Sequence, residues 1–579
     1  MSFGVSNTSY PGMMTSLMKE IGQTSPYHIP SNFWISDWME CLLRTTALNN
    51  FPPTVCARWC FILSTIIYNA YAYTSDKQPV DYQNPSGENY WASNSKESVT
   101  TTLPVWMEYV CQYMVPILLQ TWLPYSIAPH VSPNSALYQL DPSDPSSIQS
   151  LIAAHTPLPS LDSAAQSSFS NFKQLIQTYF TARQGDGWLN TFTFNTSYNN
   201  NANLSSFIDG NNTDTPQNLN TLLHPDKWTP VKVTLSNGHT FTKAYVTPEW
   251  GTANSGILSD SDRAAIQADV QKLFPDPVSQ PARWAQEVQN ILHAQSQLDD
   301  EQKMISEYFL QCPADTLNSV GTPLYGTPSP SGVWLAFADI YLRSNNKTIE
   351  DEIRYYFIVS AGIFEASLNA WKLKRANLQS RPIQKIRQAL YNPSQSVNTP
   401  IHQDWNPATP TVNGVPQTNS GAYWLPYQTI DTVTPPFPDF VSGHSTFGAT
   451  AAKLMNYLTG QDNIVLQNPV TNLLIFKYTS QLYYNNSAWK NASINNIFLY
   501  PGCSAVQPTD PSSQSGGFNG ALQVPLSGIY LNWPTWSQMA NSNGESRIYG
   551  GVHYESSNQG GLLAGNEIAD ALWPLYRNL

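Results

Sequence analysis

The chain has 579 residues, 28 Lys+Arg against 40 Asp+Glu, a formal net charge of −12 and only 12% charged residues, about half of the ~25% usual in soluble domains. Hydrophobic residues reach 41%, with 18 Trp, 31 Tyr and 22 Phe, which suffices for a large core and excludes wholesale disorder. The acidic balance argues against a general nucleic-acid binder, whose footprint is basic, so a positively charged pocket in this chain has to be a local construction.

In chain order, apolar residues at three- and four-residue spacing predict helices over 33–48, 54–73, 103–122, 163–182, 261–274, 281–310, 332–344, 348–379, 443–459 and 558–577. The N-terminal MSFGVSNTSYPGMM lacks the basic start and apolar run of a secretory signal. The most apolar stretch, 59–73 (WCFILSTIIYNAYAY), is shorter than the ~20 residues of a membrane span and reads as a buried core helix. No membrane partner is expected, and a soluble intracellular protein is the default, with the compartment itself open. The six cysteines are scattered and imply no disulfide framework. Cys56 and Cys60 share a helix face; with no further ligand cluster nearby they read as buried thiols.

Asp260 to Asp262 and Pro281 mark helix starts. Between the helices lie long Pro/Ser/Asn segments at 75–100, 125–147, 311–331, 392–441 and 500–545, of a length that usually carries function or lines a site. Alternation near 186–250, with Asn237-Gly238 between two runs, predicts one hairpin. The expectation is a mainly α protein with long ordered loops and a minor β-hairpin.

Three clusters carry chemistry. Lys374 and Arg381 are seven residues apart near a predicted helix end, a spacing that sets both on one face, and Pro382 disfavours helical geometry at Arg381. Taken alone they also read as two solvated cations. Ser442-Gly443-His444 follows the Pro-rich PPFPDFV and opens an Ala-rich helix; Ser442 suits the N-cap, the free N–H groups of that turn make an anion site, and His444 can hold a proton near neutral pH. This is equally the pattern of a capped helix with an incidental His. Ser546-Arg547 and His553 flank a Gly-Gly pair that lets backbone approach closely, or else form a loop Arg and a satisfied His. Jointly the clusters offer cations, a hydroxyl, backbone N–H groups and two imidazoles, which is what a tetrahedral oxyanion requires. The other seven histidines form no HExxH-like pair, and no P-loop, Rossmann or nucleophile-elbow motif occurs.

These motifs resemble the vanadium-dependent haloperoxidases, which share a site with the type 2 phosphatidic acid phosphatase superfamily. The signature K-x6-R-P, P-S-G-H and S-R-x5-H-x3-D is matched, in order, by Lys374…Arg381-Pro382, Ser442-Gly443-His444 and Ser546-Arg547…His553. The resemblance covers mainly 330–579. It implies two helical bundles (four-helix-bundle-like units), with an N-terminal region over 1–330 and a site-bearing domain over 331–579. It also implies vanadate as cofactor, without haem or flavin. By the same resemblance His553 ligates vanadium, while Lys374, Arg381, Ser442, Gly443 and Arg547 hold the vanadate oxygens and His444 is the acid/base. Trp371 and Phe437 line the halide side, and Asp315 pairs with the second arginine. The implied reaction oxidises halide (bromide, iodide or chloride) with hydrogen peroxide to hypohalous acid or an equivalent that halogenates a small organic acceptor. A homo-oligomer is left open.

Two positions depart from the signature. Val441 replaces the Pro before Ser-Gly-His, and Ser557 stands where the signature has Asp four residues after the second His. A carboxylate there orients the imidazole, so its loss weakens the rival reading, an acid phosphatase with His553 as nucleophile, unless Glu555 or another group substitutes. Retention of all the polar positions argues against a third reading, a binding protein without catalysis.

Overall fold

The computed structural model describes residues 35–48, 52–80, 101–122, 160–189, 226–230, 245–309, 329–390, 434–466 and 533–579, with short strand pieces between 232 and 242 and between 411 and 416, and single positions at 91, 99, 424 and 426–428. In chain order the helices are α1 (Ile35–Leu48), α2 (Pro53–Tyr73), α3 (Leu103–Trp122), α4 (Ser163–Gln184), α5 (Asp260–Gln271), α6 (Pro281–Ser296), α7 (Asp300–Tyr308), α8 (Val333–Ser344), α9 (Ile349–Asn377), α10 (Pro382–Leu390), α11 (Gly443–Thr459), α12 (Trp536–Tyr549) and α13 (Glu555–Tyr576). The fold is helical, as the periodicity requires. The Asn237-Gly238 hairpin is a short antiparallel pair, with Lys232 opposite Thr242 and Thr234 opposite Thr240. A second small pair, Thr411–Val412 with Val415–Pro416, lies inside the predicted 392–441 loop.

The 29-residue α9 is the central strut. A capping box starts it: the Thr348 side chain accepts from Asp351 N, and the Asp351 side chain accepts from Thr348 N. On one side it meets α2, the one described helix long and apolar enough to cross a bilayer, which is here buried in the core. Phe61 packs on Phe364 at 5.4 Å and Tyr68 on Phe357 at 5.2 Å between ring centroids, contacts of ~0.5–1.5 kcal/mol each beyond their buried area. Cys56 and Cys60 are buried thiols on this helix. On its other side α9 meets α11 and α13. Those two helices approach closely because Gly561 and Gly565 face α11: a Cβ at Gly561 would sit 2.6 Å from Ser442 O, and one at Gly565 2.6 Å from Thr446 O. One hydrophobic cluster runs from Ile35 to Leu572 through all these helices.

Several boundaries correct the sequence reading. The single helix expected over 281–310 is two, because Asp299 accepts from Gln302 N at 2.8 Å and so caps α7 as a separate start. The cap of α5 is Ser259, whose side chain accepts from Asp262 N, with Asp260 and Asp262 in the first turn. The helix expected over 348–379 ends at Asn377, because Leu378 adopts a left-handed conformation, φ 49°. Pro382, read as a terminator, instead occupies the first turn of the unexpected α10, where its missing N–H costs nothing. The end of the segment 500–545, read as a loop, belongs to α12, which starts at Trp536 and is capped by Thr535 accepting from Gln538 N at 3.1 Å.

Candidate active site

The left-handed Leu378 overturns the helical reason for pairing Lys374 with Arg381, yet the two side chains converge. Lys374 lies in the last turn of α9, and Arg381 lies beyond the reversal. The reversal is pinned by main-chain bonds from both sides: Trp228 N donates to Leu378 O at 2.7 Å, Ser380 N to Asp226 O at 3.0 Å, and Asp439 N to Gln379 O at 3.0 Å. Those bonds draw the segment before α11 against the segment after α9.

Arg381 is then engaged through two of its three nitrogens. Its Nε donates to Phe437 O (2.7 Å) and its Nη1 to Val552 O (2.7 Å) and His553 Nε2 (2.9 Å). Lys374 Nζ donates to Pro438 O and Asp439 O at 2.8 and 2.9 Å. Ser442 N-caps α11, with its side chain accepting from Ser445 N, and its own N donates to Ser557 O at 2.9 Å. Arg547 sits on the last turn of α12, not on a loop, and its Nη1 donates to Phe309 O at 3.2 Å. Lys374, Arg381, Ser442, Arg547 and His553 are all buried, and His444 is the most open at 8%. The charges of Lys374, Arg381 and Arg547 act on both His444 and His553, so the three distant clusters meet at one place.

Sequence reasoning missed one participant. Asp439, buried between Pro438 and Phe440, places Oδ1 3.0 Å from His553 Nδ1 and 3.5 Å from Arg381 Nη1. The signal was visible as a lone carboxylate in the apolar run PPFPDFV, but its partner cannot be read from spacing. Because arginine only donates, His553 Nε2 is the acceptor of the Arg381 bond, and the ring proton belongs on Nδ1 beside Asp439. Ser557, at the signature's Asp position, donates to Asp439 O at 2.9 Å.

The electrostatics are those of a positive cluster short of counter-charge. Burial, then Arg381, pushes the Lys374 ammonium well below its ordinary range, and burial takes Arg381 down to about 10. Burial first, with Arg381 next for His553 and Arg547 next for His444, drives both imidazoles well below 6.5, so they are neutral. Burial raises Asp439 to about 7 against the pull of Arg381 and Lys374. Among the described residues Asp439 is the carboxylate that both Lys374 and Arg381 share. Arg381 Nη2 and His444 Nε2 are buried without a hydrogen-bond partner among the described residues. Unused buried donors, a cationic surplus and a neutral imidazole lone pair fit an oxyanion of phosphate or vanadate type.

Trp371 and Phe437 stand together beside this cluster, with ring centroids 5.0 Å apart and the Lys374 Nζ 4.9 Å from the Phe437 ring. Trp371 is held by its Nε1 donating to Val246 O at 2.9 Å. Gly443 lies under the Trp371 ring, where a Cβ would meet it at 3.4 Å. Asp315 lies outside the described residues.

Comparison with known proteins gives the same direction. Residues 354–579 match the family described as VCPO second helical-bundle domain. The structure of a holo-type bacterial vanadium-dependent chloroperoxidase superposes with a TM-score of 0.51 at 14% identity, covering 92% of this chain and 94% of that one. A bacterial vanadium-dependent iodoperoxidase gives 0.53 at 14% identity over 93% and 95%, and an apo-type bacterial chloroperoxidase 0.52 at 15% over 91% and 93%. No curated protein matches by sequence. The chain therefore has the fold of the bacterial vanadium-dependent chloro- and iodoperoxidases, and its residues 354–579 match the model of the VCPO second helical-bundle domain.

Proposed function

We propose that the protein is a vanadate-dependent haloperoxidase. The observation that carries this reading is the buried convergence of the charges of Lys374, Arg381 and Arg547 around His444 and a neutral His553 whose Nε2 presents a lone pair. His553 would ligate vanadium through Nε2. Lys374, Arg381, Arg547, the Ser442 hydroxyl and the Gly443 N–H at the start of α11 would hold the oxygens, aided by the helix dipole. Bound vanadate supplies a vanadium(V) Lewis acid that activates hydrogen peroxide without a change of oxidation state.

The chain's own residues supply the rest. His444, neutral and with Nε2 unpartnered, accepts a proton from incoming peroxide and returns it to the product. Lys374, with one donor left after its two carbonyl bonds, polarises the oxygen that a halide attacks. Trp371 and Phe437 line an apolar approach for a weakly hydrated halide, which favours bromide and iodide.

An acid phosphatase remains the second reading, and one observation favours it. Asp439 restores to His553 the carboxylate that Ser557 removes, and a nucleophilic imidazole needs that support. The deciding experiment assays purified protein with orthovanadate, peroxide and chloride, bromide or iodide against a phenol dye, and in parallel without vanadate on a phosphate ester. Vanadate-dependent bromination or iodination, lost on vanadate removal, is expected. Ester hydrolysis without any halogenation after reconstitution would establish the phosphatase.

A further inference from the structure

We propose that Asp439 is the positioning residue of His553, so that the carboxylate the signature places four residues after this histidine is delivered in this chain from the segment preceding α11. This rests on the vanadate reading only for the identity of the anion. Asp439 Oδ1 lies 3.0 Å from His553 Nδ1, off the line of a hydrogen bond, with both side chains buried and neither atom hydrogen-bonded to any other group among the described residues. Signature position 557 holds a serine, and that serine is not idle: its Oγ donates to Asp439 O at 2.9 Å. Tyr554 N lies 3.5 Å from Asp439 Oδ2, and Ser442 N donates to Ser557 O at 2.9 Å. The residue at the signature's position thus anchors the backbone of the residue that performs its task.

The chemical consequence follows from the two ring nitrogens. A carboxylate at Nδ1 retains the ring proton there and fixes the plane of the ring. Nε2 is then the basic nitrogen, and in the structure it accepts from Arg381 Nη1. The same lone pair is the one offered to a metal. Without Asp439 the Nδ1 proton faces no carboxylate, the Arg381 contact alone opposes N–H at Nε2, and rotated or Nε2-protonated rings become accessible where a ligand is needed. The rival explanation is that Asp439 serves only as a counter-ion for Arg381, 3.5 Å away.

The test uses full-length protein labelled with 15N-histidine, with His553→Ala to assign the signal, and equilibrium dialysis against orthovanadate. In the wild type the vanadate-free His553 should show a protonated Nδ1 and an unprotonated Nε2. Asp439→Ala should weaken orthovanadate binding ~10–100-fold and abolish the single-tautomer signature. Asp439→Asn should be intermediate, and Asp439→Ala combined with Ser557→Asp should recover most of the affinity and the signature. Wild-type His553 protonated at Nε2 would overturn the proposal, whether or not Asp439→Ala folds. So would a loss of affinity in Asp439→Ala with an unchanged tautomer and no recovery by Ser557→Asp, which is the counter-ion outcome. If wild-type protein binds no orthovanadate while its tautomer still follows Asp439, the positioning role stands and the vanadate reading falls.

Discussion

Lys374 grips Asp439 by the main chain: its Nζ donates to the Asp439 carbonyl oxygen at 2.9 Å and to that of Pro438 at 2.8 Å, while the Asp439 carboxylate turns to His553 and Arg381. The ammonium therefore ties down the peptide that carries the carboxylate and keeps one donor for a ligand. Burial already opposes its charge. Lys374→Met relieves that cost and forfeits two hydrogen bonds of ~1 kcal/mol each. Stability in urea should stay within ~2 kcal/mol of wild type, while orthovanadate affinity in dialysis drops at least ~10-fold. Unchanged affinity would remove Lys374 from the anion site.

The two imidazoles should separate by experiment. His553→Ala should abolish orthovanadate retention, because it removes the Nε2 lone pair proposed to ligate vanadium. His444→Ala should retain binding but lower turnover, by ~10²-fold or more for a lost acid/base group. Equal loss of binding in both variants would contradict the assignment.

The seam between α11 and α13 has no room for a methyl group. A Cβ at Gly565 would lie 2.6 Å from Thr446 O, 2.7 Å from Ala449 Cβ and 2.8 Å from Thr450 N. Gly565→Ala forces the helices apart and should cost ~1–3 kcal/mol in denaturant unfolding. Because α11 begins at the candidate site, orthovanadate affinity should fall too.

Away from the site, Glu365 on α9 receives Arg263 of α5 in a fork, Nη2 to Oε1 at 2.8 Å and Nε to Oε2 at 2.9 Å, and also accepts from Leu258 N and Ser255 Oγ. Glu365→Ala leaves that guanidinium only Asp260 and Ser255 as partners and should cost ~1.5–3 kcal/mol, read by urea unfolding. Orthovanadate affinity should not change in the folded fraction.

Glu287 gives a pH dependence whose sign can be checked. Both its oxygens lie 3.3 Å from Ser556 N at the start of α13, and burial raises its carboxyl above 4.5. The folded state then binds the proton more tightly than the unfolded state, so this group's contribution is full below pH 4.5 and is lost as pH rises through the folded value. Glu287→Gln should flatten the fall in unfolding free energy above pH 4.5. An identical pH profile in the variant would refute it.

Helix identity was legible where apolar periodicity was long, as in α2 and α9, and so were the motif residues of the cluster. What spacing could not show was how they meet. Lys374 and Arg381 were paired for the wrong reason, since the left-handed Leu378 breaks the helix between them. The helix α12 was hidden because its sequence, WSQMANSNGESRIY, is rich in Asn, Ser and Gly of low propensity and shows little apolar periodicity. Asp439 was overlooked because its partner lies 114 residues away, a tertiary contact that no local pattern announces. Pro382 was read through its veto on helix interiors, when its place was a first turn.

The joint that carries Arg381 is fastened peptide to peptide, at 228 to 378, 380 to 226 and 439 to 379. Such fastenings are indifferent to which side chains hang from the backbone. Evolution is then free to rewrite most of the surrounding letters so long as the course of the chain persists, and solved peroxidases at 14% identity share that course over more than nine-tenths of their length. The durable element of this scaffold is its peptide wiring, with a handful of charged groups soldered to it.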